Sequence, residues 1–326
     1  MKRVETNSLD SLSNCKMVEV TDPTPGNCEV LIQIAACGVG YVDALESLGR
    51  YQVKPLLPHV PGQEISGKIA AVGDGVVGLA VGDRVITQIH GGFAEQTVVV
   101  DTAVVKIPDG MEYAQAAGFK VNYVTALHAL RDRGNLQPGE ILLVIGAAGG
   151  VGSAAIQVGK CLGAKVIAVA SSPEKRAFAQ QLGADHVLDS GAVEFRELVK
   201  DLCGQKGPNV VFDPVCGPLF EPAFRSLTWG GRHLVIGFTG GPIPSLRANL
   251  PLLKGGSLVG VDVRQFTLYE VEKAEGHLQE LLSWVAEGRL SPPIGRQYEF
   301  DDFIPALEYA LTGKGLGKTI IKINDV

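Results

Sequence analysis

The rhythm of apolar and polar positions changes near residue 112. Before that point, short apolar stretches alternate with turn residues. This predicts strands at 29–36, 65–72, 82–88, 92–100 and 104–107. A short helix is expected over 41–49, and Pro58 and Pro61 stiffen the loop 56–62. Beyond it, helices at 113–118 and 123–133 lead into a regular alternation. Strands at 141–145, 166–169, 186–189, 210–213, 232–236 and 257–263 are separated by helices near 151–162, 173–182, 192–203, 218–228 and 249–254. Strands alternating with helices in this way predict an α/β fold with a doubly wound parallel sheet. The tail offers an amphipathic helix over 269–287, a helix at 301–311 and a strand at 318–323. The expected division is a β-rich domain over 1–121, completed by 264–326, and a dinucleotide-binding domain over 122–263.

The stretch from Glu140 to Gly152 carries the strongest chemical signal. Five apolar residues run into Gly146-Ala147-Ala148-Gly149-Gly150-Val151-Gly152, after which apolar positions recur at helical spacing. This reads as buried strand, tight turn and helix. Glycines at 149, 150 and 152 keep side chains away from a ligand, and the N–H groups and dipole of the helix start suit a pyrophosphate. Gly152 also permits close approach of helix and strand. The turn departs from G-x-G-x-x-G at Ala147, but the second strand that a βαβ unit requires follows at 165–171.

Composition narrows the classes. The chain has 326 residues, 46% hydrophobic and 20% charged, with a net charge of −6. That is globular rather than disordered, and the acidic balance argues against a nucleic-acid partner. No apolar run reaches the ~18 residues of a membrane helix, and Met1-Lys2-Arg3 is followed by polar residues rather than a signal sequence. The six cysteines have no C-x-x-C spacing, as expected of reduced thiols in a cytoplasmic protein. Cys37 and Cys161 sit in apolar runs and are expected in the core.

Several motifs resemble one family: Asp22-Pro-Thr-Pro-Gly26, Ala36-Cys-Gly-Val39, Pro61-Gly-Gln-Glu64 with Gly67, Val81-Gly-Asp-Arg-Val85, Gly91-Gly-Phe-Ala-Glu95, the glycine turn, and Gly317-Lys318. Together they are similar to the medium-chain dehydrogenase/reductase superfamily. The nearest branch is the zinc-free NADPH:quinone oxidoreductases, similar to zeta-crystallin. The resemblance implies a GroES-like β-rich domain, a Rossmann domain and a cofactor in the cleft between them. It also implies hydride transfer from NADPH to a quinone or related α,β-unsaturated carbonyl. A 2-alkenal (enone) reductase and an enoyl-thioester reductase are rivals within the enzyme class. A cofactor-binding structural or RNA-binding protein is the rival outside it.

No metal is expected. In zinc-dependent members of the superfamily Cys and His bind catalytic zinc; here Gly40 and Gln63 stand at two of those places, and neither matches imidazole or thiolate as a zinc ligand. For the cofactor, the strand ending at Ser171 and Ser172 lacks the acid that binds an unphosphorylated ribose. Ser171, Ser172, Lys175 and Arg176 can instead bind a 2′-phosphate, which favours NADPH. Asp189, at the end of the next strand, opposes that preference if it faces the phosphate. The expected cofactor-binding set is Asn122, Thr125, Ala148, Gly149, Gly150, Val151, Ser171, Ser172, Lys175, Arg176, Gly237, Phe238 and Gly317. Candidate catalytic groups are Tyr41, Asp43 and Tyr51. Asp43 has a second reading as a helix-capping acid, and both tyrosines have one as half-buried packing residues. His128, on an apolar helix, is read as a packed histidine. The sixth Rossmann strand is expected at a sheet edge, where Leu258, Val259 and Val261 would meet a second copy in a homodimer.

Overall fold

In the computed structural model, which describes residues 1–326, the first third of the chain is antiparallel sheet. A two-stranded ribbon pairs β1 (Lys2–Glu5) with β2 (Lys16–Glu19). The main strands follow as β3 (Glu29–Val39), β4 (Glu64–Val72), β5 (Arg84–Gln88), β6 (Gln96–Val100) and β7 (Val104–Lys106). The long strand β3 lies between β4 and β6 for part of its length. Its alternation puts Val30, Ile32 and Ile34 into a core with Ile65, Ile69, Val85 and Phe93. Helix α1 (Tyr41–Ser47) follows β3, and α2 (Tyr113–Ala117) and α3 (Lys120–Leu127) follow β7.

The alternating region then forms β8 (Ile141–Ile145), α4 (Gly150–Cys161), β9 (Lys165–Ala170), α5 (Pro173–Gln181), β10 (His186–Asp189), α6 (Phe195–Leu202), β11 (Val210–Asp213), α7 (Phe220–Ser226), β12 (Arg232–Val235), α8 (Asn249–Lys254) and β13 (Ser257–Gly260). All six strands are parallel, in the order β10-β9-β8-β11-β12-β13. The order reverses beside β8, so the glycine turn after β8 sits at the topological switch point, the usual place for a ligand in such sheets. Leu142, Leu143 and Val144 are fully buried, each worth roughly 1.5–3 kcal/mol in removal from water.

Helices α9 (Val263–Tyr269) and α10 (Val271–Ala286) come next, then β14 (Ile294–Glu299), α11 (Phe303–Leu311) and β15 (Lys318–Lys322). The chain divides into one unit of 1–121 with 291–326 and another of 122–290. Only part of the expected tail therefore rejoins the first unit; 264–290 belongs with the parallel sheet. The cause is a polar and aromatic cluster invisible in periodicity. His128 stacks on Phe266 at 3.8 Å, Asp132 receives Lys273 at 3.1 Å and His128 at 2.8 Å, and Arg131 pairs with Glu280. His128 is thus the packed histidine expected. The strand expected over 257–263 stops at Gly260, because Asp262 accepts the Gln265 N–H and starts α9.

Within the first unit, β15 joins β3 antiparallel and β14 parallel, which makes a seven-stranded sheet. β1, β2 and β14 were not legible in the sequence: each is short, charged and half-exposed, without the apolar alternation that marks a strand. Cys37 is in the core, but Cys161 is half-exposed and donates to the Arg289 carbonyl. No helix is long and apolar enough to cross a membrane.

Candidate cofactor site

The turn between β8 and α4 is shaped by what its glycines leave out. Gly149 caps the helix, and its carbonyl accepts the Ser153 N–H at 2.8 Å. The N–H groups of Gly150, Val151 and Gly152 open the helix and have no acceptor within it. A methyl on Gly149 would meet nothing nearer than 3.6 Å, so this side of the turn is open. A methyl on Gly150 would lie 2.8 Å from Asn122 Nδ2, which places Asn122 directly against the turn. Gly152 faces the strand: a Cβ there would be 2.2 Å from the Gly146 carbonyl oxygen. Ala148, Asn122 and Thr125 are buried. An open backbone surface with a helix dipole behind it fits a pyrophosphate.

At the end of β9, Ser171 is exposed and Ser172 is the N-cap of α5, accepting the Lys175 N–H at 3.2 Å. Lys175 is half-buried, and that burial lowers its pKa from the ordinary lysine value. Arg176 is less available than its sequence suggests. Its Nη1 pairs with Asp189 Oδ2 at 2.8 Å and donates to the Ala170 carbonyl at 3.2 Å. Gly237 lies over the Pro214 carbonyl after β12, and Phe238 beside it is exposed. All these residues belong to the unit of the parallel sheet.

Gly317, Tyr41, Asp43 and Tyr51 belong to the other unit. Gly317 has φ +63 in the turn before β15, a backbone reason for glycine. Tyr41 and Tyr51 are half-buried. Asp43 is 3% exposed, and its Oδ2 accepts the Gly40 N–H at 2.7 Å across the first turn of α1. That geometry is the capping reading of Asp43. Burial raises its pKa from 3.8 to about 6, against the pull of Lys318.

Around it is a largely buried polar cluster; Gln63, Glu64 and Lys318 stand in the quoted motifs, but their meeting is a matter of tertiary structure. Lys318 Nζ pairs with Glu64 Oε2 at 2.8 Å; Glu64 Oε1 accepts the Val121 N–H; Gln63 donates to Glu46 Oε2 at 2.8 Å. Burial works against the Lys318 ammonium, but Glu64 and Asp43 outweigh it and hold its pKa above the ordinary lysine value. A Cβ built on Gly40 would lie 3.5 Å from Lys318 Nζ.

Comparison with known proteins agrees with both halves. Residues 26–109 match the alcohol dehydrogenase GroES-like domain and residues 150–285 match the zinc-binding dehydrogenase family. The chain is 36% identical to "Quinone oxidoreductase-like protein 2" of Bos taurus over 310 residues, 94% of this chain and 89% of that protein. Among solved structures, Escherichia coli quinone oxidoreductase complexed with NADPH superposes with a TM-score of 0.89 at 25% identity, covering 99% of this chain and 100% of that one. The CurK enoyl reductase also gives 0.89, at 27% identity and 99% coverage of both chains. With the doubly wound sheet, the glycine turn at its switch point and these matches along nearly the whole chain, the protein belongs to the quinone oxidoreductases of the medium-chain dehydrogenase/reductase superfamily.

Proposed function

We propose that the protein is a zinc-free, NADPH-dependent oxidoreductase that reduces quinones or related α,β-unsaturated carbonyls. The observation that carries the cofactor half is the open, glycine-built turn at the start of α4, backed by Ser171, Ser172 and Lys175 at the end of β9. When bound, NADPH supplies the hydride. The chain's own part is to hold and orient it. The N–H groups of Gly150, Val151 and Gly152 bind the pyrophosphate. Ser171 and Ser172 donate to a 2′-phosphate, and Lys175 neutralises it. Asn122, held against the turn, and Thr125 orient the cofactor from α3. Gly237, Phe238 and Gly317 complete the proposed set.

The zinc-free reading rests on Gly40 and Gln63: glycine has no donor, and the neutral amide of Gln63 already donates to Glu46. The ammonium of Lys318, beside Gly40, is paired with Glu64. Tyr41, Tyr51 or water then delivers the proton to the reduced oxygen, while Asp43 braces α1. The exposed edge strand β13, with Leu258 and Val259 accessible, supports a homodimer through this edge. Val261 is already buried within its own chain and contributes nothing to such an interface. Six free cysteines support a cytoplasmic setting.

The likeness to the CurK enoyl reductase favours one second reading, reduction of an enoyl thioester. NADPH consumption with a small panel separates the two. The proposal expects turnover with simple quinones and small enones and little with enoyl thioesters. Turnover confined to thioesters would replace it. Lys175→Ala should weaken NADPH by roughly ten- to a hundredfold and NADH far less, the loss of one charge-assisted contact.

A further inference from the structure

The end of β9 contains an ion pair that the cofactor reading does not use. Asp189 closes β10 directly opposite Ala170 in the parallel ladder. Its Oδ1 accepts the Gly191 N–H at 2.8 Å, and this turn fixes the carboxylate. Its Oδ2 then meets Arg176 Nη1 at 2.8 Å, while the same Nη1 donates to the Ala170 carbonyl. Arg176 follows Lys175 in the first turn of α5, whose N-cap is Ser172. The guanidinium is therefore committed through one nitrogen before any ligand arrives. A guanidinium binds phosphate best through two parallel N–H groups, and here Nη1 is already engaged by Asp189 and the Ala170 carbonyl.

We infer that Asp189 is a specificity-determining residue of the cofactor site: it competes with a 2′-phosphate for Arg176 and so brings the affinities for NADPH and NADH closer together. The inference rests on the proposal that the 2′-phosphate lies at the end of β9. Two effects act in one direction. The carboxylate occupies an arginine donor, and its own negative charge opposes the phosphate. Neither touches NADH, which has a neutral 2′-hydroxyl. The pair is solvent-accessible, with side chains 21% and 46% exposed, so the effect is that of a screened surface charge.

The test is equilibrium binding of NADPH and NADH, read by fluorescence titration without any electron acceptor. Wild type is compared with Asp189→Asn, Arg176→Gln, the double variant and Lys175→Ala. Asparagine retains an oxygen for the Gly191 N–H; Asp189→Ser, which also keeps an acceptor, serves as a second variant. Asp189→Asn should tighten NADPH about two- to fivefold, the scale of one exposed charge pair, and leave NADH unchanged. The gain should shrink in the Arg176→Gln background, where only the charge repulsion remains to be relieved. Unchanged affinities in Asp189→Asn, equal shifts for both cofactors, or weaker NADPH binding would each overturn the inference. If Lys175→Ala loses NADPH while Asp189→Asn changes nothing, the cofactor proposal survives and this inference alone fails. If wild type binds both cofactors alike and neither Lys175→Ala nor Asp189→Asn alters the ratio, both fall together.

Discussion

Replacing Gly152 by alanine tests the link between the glycine turn and the fold, with Gly149→Ala as its partner. A methyl at Gly152 would sit 2.2 Å from the Gly146 oxygen and 2.9 Å from both the Gly146 carbonyl carbon and the Ala147 Cα. All three are backbone atoms, so no side-chain rotation relieves the clash. Restoring van der Waals distance requires α4 to lift from β8 by about 1 Å. Overpacking against backbone alone falls in the upper part of the usual range, about 2–3 kcal/mol. The gain in helix propensity on replacing glycine offsets up to about 1 kcal/mol of it. The net loss of about 1–2 kcal/mol corresponds to a fall of roughly 2–8 °C in Tm for a unit of this size. Gly149→Ala meets nothing within 3.6 Å and has φ −76, so its stability should stay within about 0.5 kcal/mol of wild type. Its methyl instead enters the surface proposed for the pyrophosphate, so NADPH and NADH should weaken by the same factor. Thermal unfolding and cofactor titration read the two effects separately. A Gly152→Ala protein that melts and binds like wild type would refute the reasoning, as would a Gly149→Ala protein destabilised as much as Gly152→Ala.

Asp43 predicts a pH dependence. Its pKa rises from 3.8 to about 6 on folding, chiefly by burial. The folded state therefore holds the proton more tightly, and stability is lost as pH rises from about 4 to about 6. The shift amounts to roughly 3 kcal/mol, so Asp43→Asn should gain up to about that much relative to wild type across this window in denaturant unfolding; a difference constant with pH would contradict it. Purified protein should retain NADPH:quinone activity in chelator and carry no stoichiometric zinc by elemental analysis; about one zinc per chain would contradict the zinc-free reading. Light scattering should give about twice the 34.4 kDa chain mass, and Val259→Lys should shift it toward the monomer. A monomeric wild type at micromolar concentration would end the edge-pairing proposal.

The centre of the parallel sheet was legible because β8, β9 and β11 are buried on both faces and read as nearly unbroken apolar runs, such as Ile141–Ile145. The turn at Gly149–Gly152 was legible because close backbone approach admits only glycine at 152. What the sequence hid was pairing between distant residues. Lys318 and Glu64 stand 254 positions apart, and neither position alone signals a buried ion pair. Asp132 with Lys273 and His277 likewise fixes where 264–290 belongs, although the periodicity of α10 says only that one face is apolar. Arg176 looked like a ligand for phosphate because the sequence lists donors without showing that Asp189 already engages one.

The most direct test of the proposed activity mixes the purified protein, in chelator, with NADPH and a small quinone. The prediction is one-for-one consumption of NADPH and formation of hydroquinone, faster with NADPH than with NADH at subsaturating cofactor. A protein that binds NADPH but oxidises it with no member of a quinone and enone panel would contradict the account.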